Sequence, residues 1–126
     1  MNRNLEPIFQ EMEAEDRAVG RLWNLPPKVA AATAVKAAVE LAAAWECEMS
    51  EMLRRDDPRP VYLSTAEERY WLHSEATKYG EDPIWQSCPA AEIIHELSVL
   101  PADAAAFVAY KIAQFVVRRS KYRSRD

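Results

Sequence analysis

Glycine is almost missing from this chain: two of 126 residues, Gly20 and Gly80. Hairpins and sheet corners need many positions that tolerate positive φ, so so little glycine argues against a sheet-rich fold and for helices joined at prolines. It also leaves no glycine-rich phosphate loop, and no G-x-S-x-G elbow occurs. The two cysteines, Cys47 and Cys88, form neither a C-x-x-C pair nor a disulfide framework, and two free thiols are expected. No window approaches the roughly 18 uncharged apolar residues of a membrane span. The opening MNRNLEPIFQEMEAED has no apolar run before its acids. A cytoplasmic protein with no membrane partner is the expectation.

What the chain does have is alanine, with 49% hydrophobic residues and 29% charged ones. That is the composition of a folded domain, and a chain of this length can bury a core without staples. One helical domain over residues 1–126 is expected. The net charge of −4 is unevenly spread: residues 1–117 carry 19 acids against 11 bases, and residues 118–126 carry five bases against one acid. An acidic body lacks the basic stripe that phosphate contacts need, so any nucleic-acid role belongs to the tail.

Apolar spacing near 100° per residue, with proline and capping signals, predicts an all-α, compact bundle of about five helices. The first covers residues 5–23, with Leu5, Ile8, Phe9, Met12, Val19, Leu22 and Trp23 on one side. Asp16 falls inside that stripe, which predicts a break or a surface-skimming helix in preference to a buried ion pair. The second covers 27–55, with Ala31, Ala34 and Ala38 leading into Leu41, Trp45, Met49 and Met52. After Pro58 and Pro60, residues 61–63 read as extended. Ser64-Thr65-Ala66-Glu67 then opens a third helix over 65–79, with Gly80 as a left-handed cap. A fourth covers 89–100. The fifth starts at Pro101 and Asp103, with Val108, Ile112, Phe115 and Val116 on one face and an alanine ridge at Ala102, Ala106, Ala109 and Ala113 beside it. A helix apolar over most of its circumference belongs at the centre.

The stretch Glu92-Ile93-Ile94-His95 has the Glu-x-x-His spacing by which helical bundles hold metals. On the fourth helix, however, Ile93, Ile94, Leu97 and Leu100 cluster, which leaves Glu92, His95 and Glu96 on the solvent side. A di-metal site needs a second such motif, and the residue three before the only other histidine, His73, is Tyr70. His73-Ser74-Glu75 lacks the P-C-x-x-C half of a zinc deaminase. A solvated helix face is the expectation, with no metal, no cofactor and no catalytic residue. A small metalloenzyme around Glu92 and His95 is the remote alternative.

Five of the twelve aromatics lie within 62–85: Tyr62, Tyr70, Trp71, Tyr79 and Trp85. Tyr70 and Trp71 sit about 100° apart on one helix, so they cannot both face one core centre. With Glu67, Glu68 and Glu75 beside them, the exposed ring would centre an acidic-aromatic patch suited to a partner protein with a basic surface. Small acidic proteins of this kind act as inhibitors or adaptors, some encoded on mobile elements, where they cover the surface of a nucleic-acid-handling complex. The alternative is nucleic-acid contact through Arg118, Arg119, Lys121, Tyr122, Arg123 and Arg125, although cations there also complement a helix C-terminus. Pairing with a second copy is compatible with either reading. The fifth helix's apolar faces end at Val117, so removing residues 118–126 is expected to leave the fold intact.

Overall fold

Alanine, leucine, glutamate and lysine are good helix formers, and the chain uses them in six helices. The computed structural model describes residues 6–54 and 65–124, with backbone alone at 6–8, 52–53 and 121–124. The helices are α1 (Glu6–Trp23), α2 (Pro27–Arg54), α3 (Ala66–Gly80), α4 (Ile84–Ser87), α5 (Ala90–Leu97) and α6 (Ala102–Ser124). No strand occurs among the described residues. The all-α reading holds, with one added helical turn at α4. Residues 55–64, which include the proline connector, the predicted extended stretch 61–63 and Tyr62, lie outside the described residues.

The last helix is central, as its alanine ridge implies, and it shares the centre with α2. The two run antiparallel: Ala30 lies beside Val116 and Ser120 at one end, and Trp45 beside Ala106 at the other. Ala30, Ala31, Ala32, Ala34, Val35, Ala37 and Ala38 of α2 are buried, as are Ala105, Val108, Ala109, Ile112, Ala113, Val116 and Val117 of α6. Side chains this small let helix axes approach to about 8 Å. The hydroxyl of buried Thr33 donates to the Val29 carbonyl at 2.7 Å, so the seam holds no orphaned donor there. Each of the other helices packs on α2.

Three local expectations are corrected. Gly80 is not left-handed: α3 runs through it and ends at Glu81 in an ordinary right-handed conformation. The stop comes from Asp82 and Pro83, where the Asp82 carboxylate accepts the Ile84 N–H at 2.9 Å and starts α4. Of the two expected alternatives at Asp16, the surface-skimming helix is the one found: α1 continues through this exposed residue and packs on Ala14, Ala18 and Leu22. Phe9, Met12, Trp23 and Phe115, placed in the core by helical spacing, are all exposed. The capping box forms one residue later than the Ser64-to-Glu67 spacing predicts: the Thr65 hydroxyl accepts the Glu68 N–H at 3.0 Å, and the Glu68 carboxylate accepts the Thr65 N–H at 2.7 Å.

The tail boundary also moves. Ser120 is buried and the Arg119 guanidinium lies 4.1 Å from the centre of the Trp23 ring, so packing continues past Val117. Removing residues 118–126 therefore destabilises the fold, and a cut after Ser120 does less harm. The central seam has its own test. Ala113 is fully buried, and Ala113→Leu is expected to cost about 1–3 kcal/mol in urea denaturation by forcing the helices apart.

Candidate contact surfaces

Residues 62–85 do not assemble one patch. Glu75 and Tyr79 are buried with Leu72 on the inner side of α3, where burial first, and the Glu75 charge second, pushes the Tyr79 phenol up. The Glu75 side chain is 8% exposed and 3.7 Å from Lys78 Nζ. Trp71 is half-buried, its ring edge-on to Tyr110 at 5.7 Å. Burial first, and the nearby Glu68 and Glu67 charges after it, raises the Tyr110 phenol. Trp85 fastens α4 to α2: its carbonyl accepts a hydrogen bond from Lys36 Nζ at 2.7 Å, and the same ammonium lies 5.7 Å from its ring. Glu68 serves its own helix cap. Tyr70, 74% exposed, is left outward with Glu67. Of the two adjacent rings, one is exposed, as their 100° separation requires, and it stands almost alone.

The Glu92, His95 and Glu96 face is not simply solvated. It abuts α1, whose Arg17 and Arg21 reach across to it. Arg17 Nε donates to Glu96 at 3.1 Å, Arg21 Nε to Glu96 at 2.5 Å, and an Arg21 terminal nitrogen to Glu92 at 3.0 Å. The Glu96 side chain is 13% exposed. A wheel drawn for α5 alone has no way to register a neighbour 75 residues away. Glu92 is thus engaged by an arginine, His95 is exposed, and no cluster of three or more His, Cys, Asp or Glu side chains is placed to hold a metal among the described residues. Cys47 is exposed and Cys88 is buried, both as free thiols. No helix among the described residues is long and apolar enough to cross a membrane.

A different surface emerges along α1 and α6. Phe9, Met12 and Trp23 follow one another at spacings of three and eleven residues, so they line one side of α1 beside half-buried Val19. Phe115 of α6 stacks on Trp23, ring centres 5.7 Å apart and planes 8° from parallel. These four large apolar residues are 43 to 54% exposed and make up most of the large apolar residues exposed among those described, Tyr70 and Val99 being the others. The Glu15–Lys111 pair at 4.0 Å ties the two helices further along. Sequence reasoning missed this shoulder because helical spacing put Phe9, Met12 and Trp23 on one apolar side with Leu22, whereas α1 docks through alanine. The Ala14/Ala18 pair, four residues apart, was the available signal.

Between α2 and α3 lies an open groove of about 260 Å³, floored by Val39, Ala42, Leu72 and Ala76 and rimmed by Glu46, Arg69 and His73. In the basic tail, α6 stays helical through Ser124, Arg118 and Arg119 are exposed, and Arg119 already covers Trp23. The side chains of Lys121, Tyr122 and Arg123, and all of Arg125, lie outside the described residues. Comparison with protein-family models, with curated proteins and with solved structures gives no match.

The α1–α5 ion pairs make a pH prediction. The Arg21 hydrogen bond, chiefly, and then the Arg21 and Arg17 charges hold the Glu96 carboxyl below its ordinary value of 4.5, against the opposing effect of burial. A carboxyl lowered on folding contributes stability that is complete above its unfolded value and is lost as pH falls through the folded one. Glu96→Gln is therefore expected to lower the melting temperature at neutral pH, and the gap from wild type to narrow as pH is taken below 4.5. A gap independent of pH would contradict the assignment. His95→Ala, at an exposed position, is expected to change stability by no more than about 0.5 kcal/mol.

Proposed function

We propose that this protein works by binding another protein, without catalysis and without a cofactor, in the manner of an inhibitor or adaptor. The observation that carries this reading is the α1–α6 shoulder, where four half-exposed large apolar side chains gather on one side of the fold. Scattered exposed apolar residues are normal, but a stripe on one helix side that includes a stacked Trp and Phe is what contact surfaces are made of. Trp23 and Phe115 are held by mutual stacking and by Arg119, so little side-chain freedom is lost on contact. Tyr70 with Glu67 is a smaller second surface. The charge balance favours a protein over nucleic acid, since phosphate affinity rises with the number of exposed cations and one tail arginine is already committed to Trp23.

The test is recovery of partners from the native lysate by the full chain, set beside thermal melts. Phe115→Ala is expected to weaken partner binding by about 2 kcal/mol. Its melting temperature should move little, because the ring is half in solvent already. Tyr70→Ala should leave both nearly unchanged. Partner binding indifferent to Phe115→Ala and Trp23→Ala, and lost in Tyr70→Ala, would move the site back to α3. Salt-steep gel shifts abolished by Arg118→Ala would replace the reading with the nucleic-acid one.

A further inference from the structure

The shoulder has a direction, and its charge changes along it. Trp23 lies eight residues after Glu15 in α1, and Arg119 lies eight after Lys111 in α6; Glu15 meets Lys111 at 4.0 Å and Trp23 meets Arg119 at 4.1 Å. Equal steps between matched contacts mean that the two helices run side by side in the same sense. Past Phe9 and Met12 the stripe carries exposed Glu13 and Asp16, and its late end carries exposed Arg118 and Arg119. Between them lie Val19 and Phe115.

We propose that the occupant of this shoulder is a second copy of the same chain, related by a two-fold axis; the proposal rests on the reading of the shoulder as the contact surface. A two-fold interface is isologous, so a surface fits only if it complements its own reverse. The part of the stripe from Asp16 to Arg119, acidic at one end, apolar in the middle and basic at the other, meets that condition, with Phe9 and Met12 lying beyond its acidic end. At 1.5 Å per residue, Asp16 and Trp23 are about 10 Å apart along α1. An axis at the level of Val19 and Phe115 lays the Arg118/Arg119 end of each copy on the Asp16 end of its mate. The Phe115 rings of the two copies then meet at the axis with Trp23 of each stacked beside them toward the mate's Asp16 end, so an interface core forms with the ion pairs as its rim. The same pairing accounts for Asp16, a charge set within an apolar stripe, whose place in the isolated chain has no packing role.

The experiment is sedimentation equilibrium on the full chain from about 1 μM to about 500 μM, the range in which interfaces of modest size assemble. The expected result is a concentration-dependent shift from 14.4 kDa toward twice that mass. Phe115→Glu should hold the protein at the lower mass while its melt at low concentration matches wild type. Asp16→Arg and Arg118→Asp should each weaken association by at least about tenfold, and the two together in one chain should restore it, because the two-fold axis pairs each reversed charge with the other. A monomer throughout the range overturns the proposal. So does a dimer insensitive to Phe115→Glu, or two charge reversals that fail to rescue one another. The underlying reading fails separately: a monomer whose lysate partner is lost in Phe115→Glu overturns the dimer and leaves the contact surface standing, whereas a partner unaffected by that substitution removes the contact surface as well.

Discussion

Close approach of α2 and α6 along an alanine-lined seam constrains where everything else can go. An alanine contributes little apolar area of its own, but it loses no side-chain entropy on burial and lets two backbones come near enough for continuous van der Waals contact. A seam that narrow admits a ring only at its end, where Trp45 lies against Ala106. Its fully buried larger side chains are valines, leucines and isoleucine: Val35, Val108 and Val117, with Leu22, Ile93 and Leu97 from the flanking helices. Aromatic bulk is pushed outward, where Trp71, Trp85 and Tyr79 seal the α3–α4 side and Trp23 and Phe115 stand on the α1 side. The exposed shoulder is thus partly a consequence of how the centre packs.

Charges set the register of the outer helices on that centre. Arg17 and Arg21 hold α5 against α1. Lys28 meets Asp82 at 2.6 Å, so the turn between α3 and α4 is tied to the start of α2, and this contact first, with the Ile84 N–H second, keeps the Asp82 carboxyl below its ordinary value. Glu15 and Lys111 join α1 to α6. Most of these side chains are partly exposed, so each pair adds little to stability. Their effect is on geometry, because a helix that packs through alanines can slide unless something polar fixes its position. The second half of α2, with Glu40, Glu46, Glu48 and Glu51 against Arg54, is the acidic part of the surface.

The sequence exposed those features that are set within a few residues. The start of α3, within one residue of its capping signal, the proline before α2 and the alanine periodicity of α2 and α6 are local, and the sequence pattern carries each of them. Features that need a neighbour were not legible. Glu96 looked solvated because Arg17 and Arg21 are far away in the chain, and Glu75 looked like a member of an acidic patch although it shares the inner side of α3 with Leu72 and Tyr79. Phe9, Met12, Trp23 and Phe115 failed for another reason. Hydrophobicity ranks them above Ala14 and Ala18, but depth of burial is decided by how close two helices come, and close approach selects the small residue. The candidate site was therefore hidden inside the residues that pattern reading had assigned to the core.

A contact surface built from two helices is only as well ordered as the joint between them. Trp23 ends α1 and Phe115 sits just past the middle of α6, so their stacking survives only if α1 keeps its place. Ala14, Ala18 and Leu22 provide the apolar contact, Glu15 with Lys111 resists sliding, and the Arg119 guanidinium lies 4.1 Å from the centre of the Trp23 ring. Each of these lies within about two turns of the pair. The rings are consequently fixed in the unbound protein, and the ordering that usually opposes association has been met during folding. A lone exposed ring such as Tyr70 has no comparable support among the described residues, which is the physical reason for preferring the shoulder even though α3 carries the denser run of aromatics.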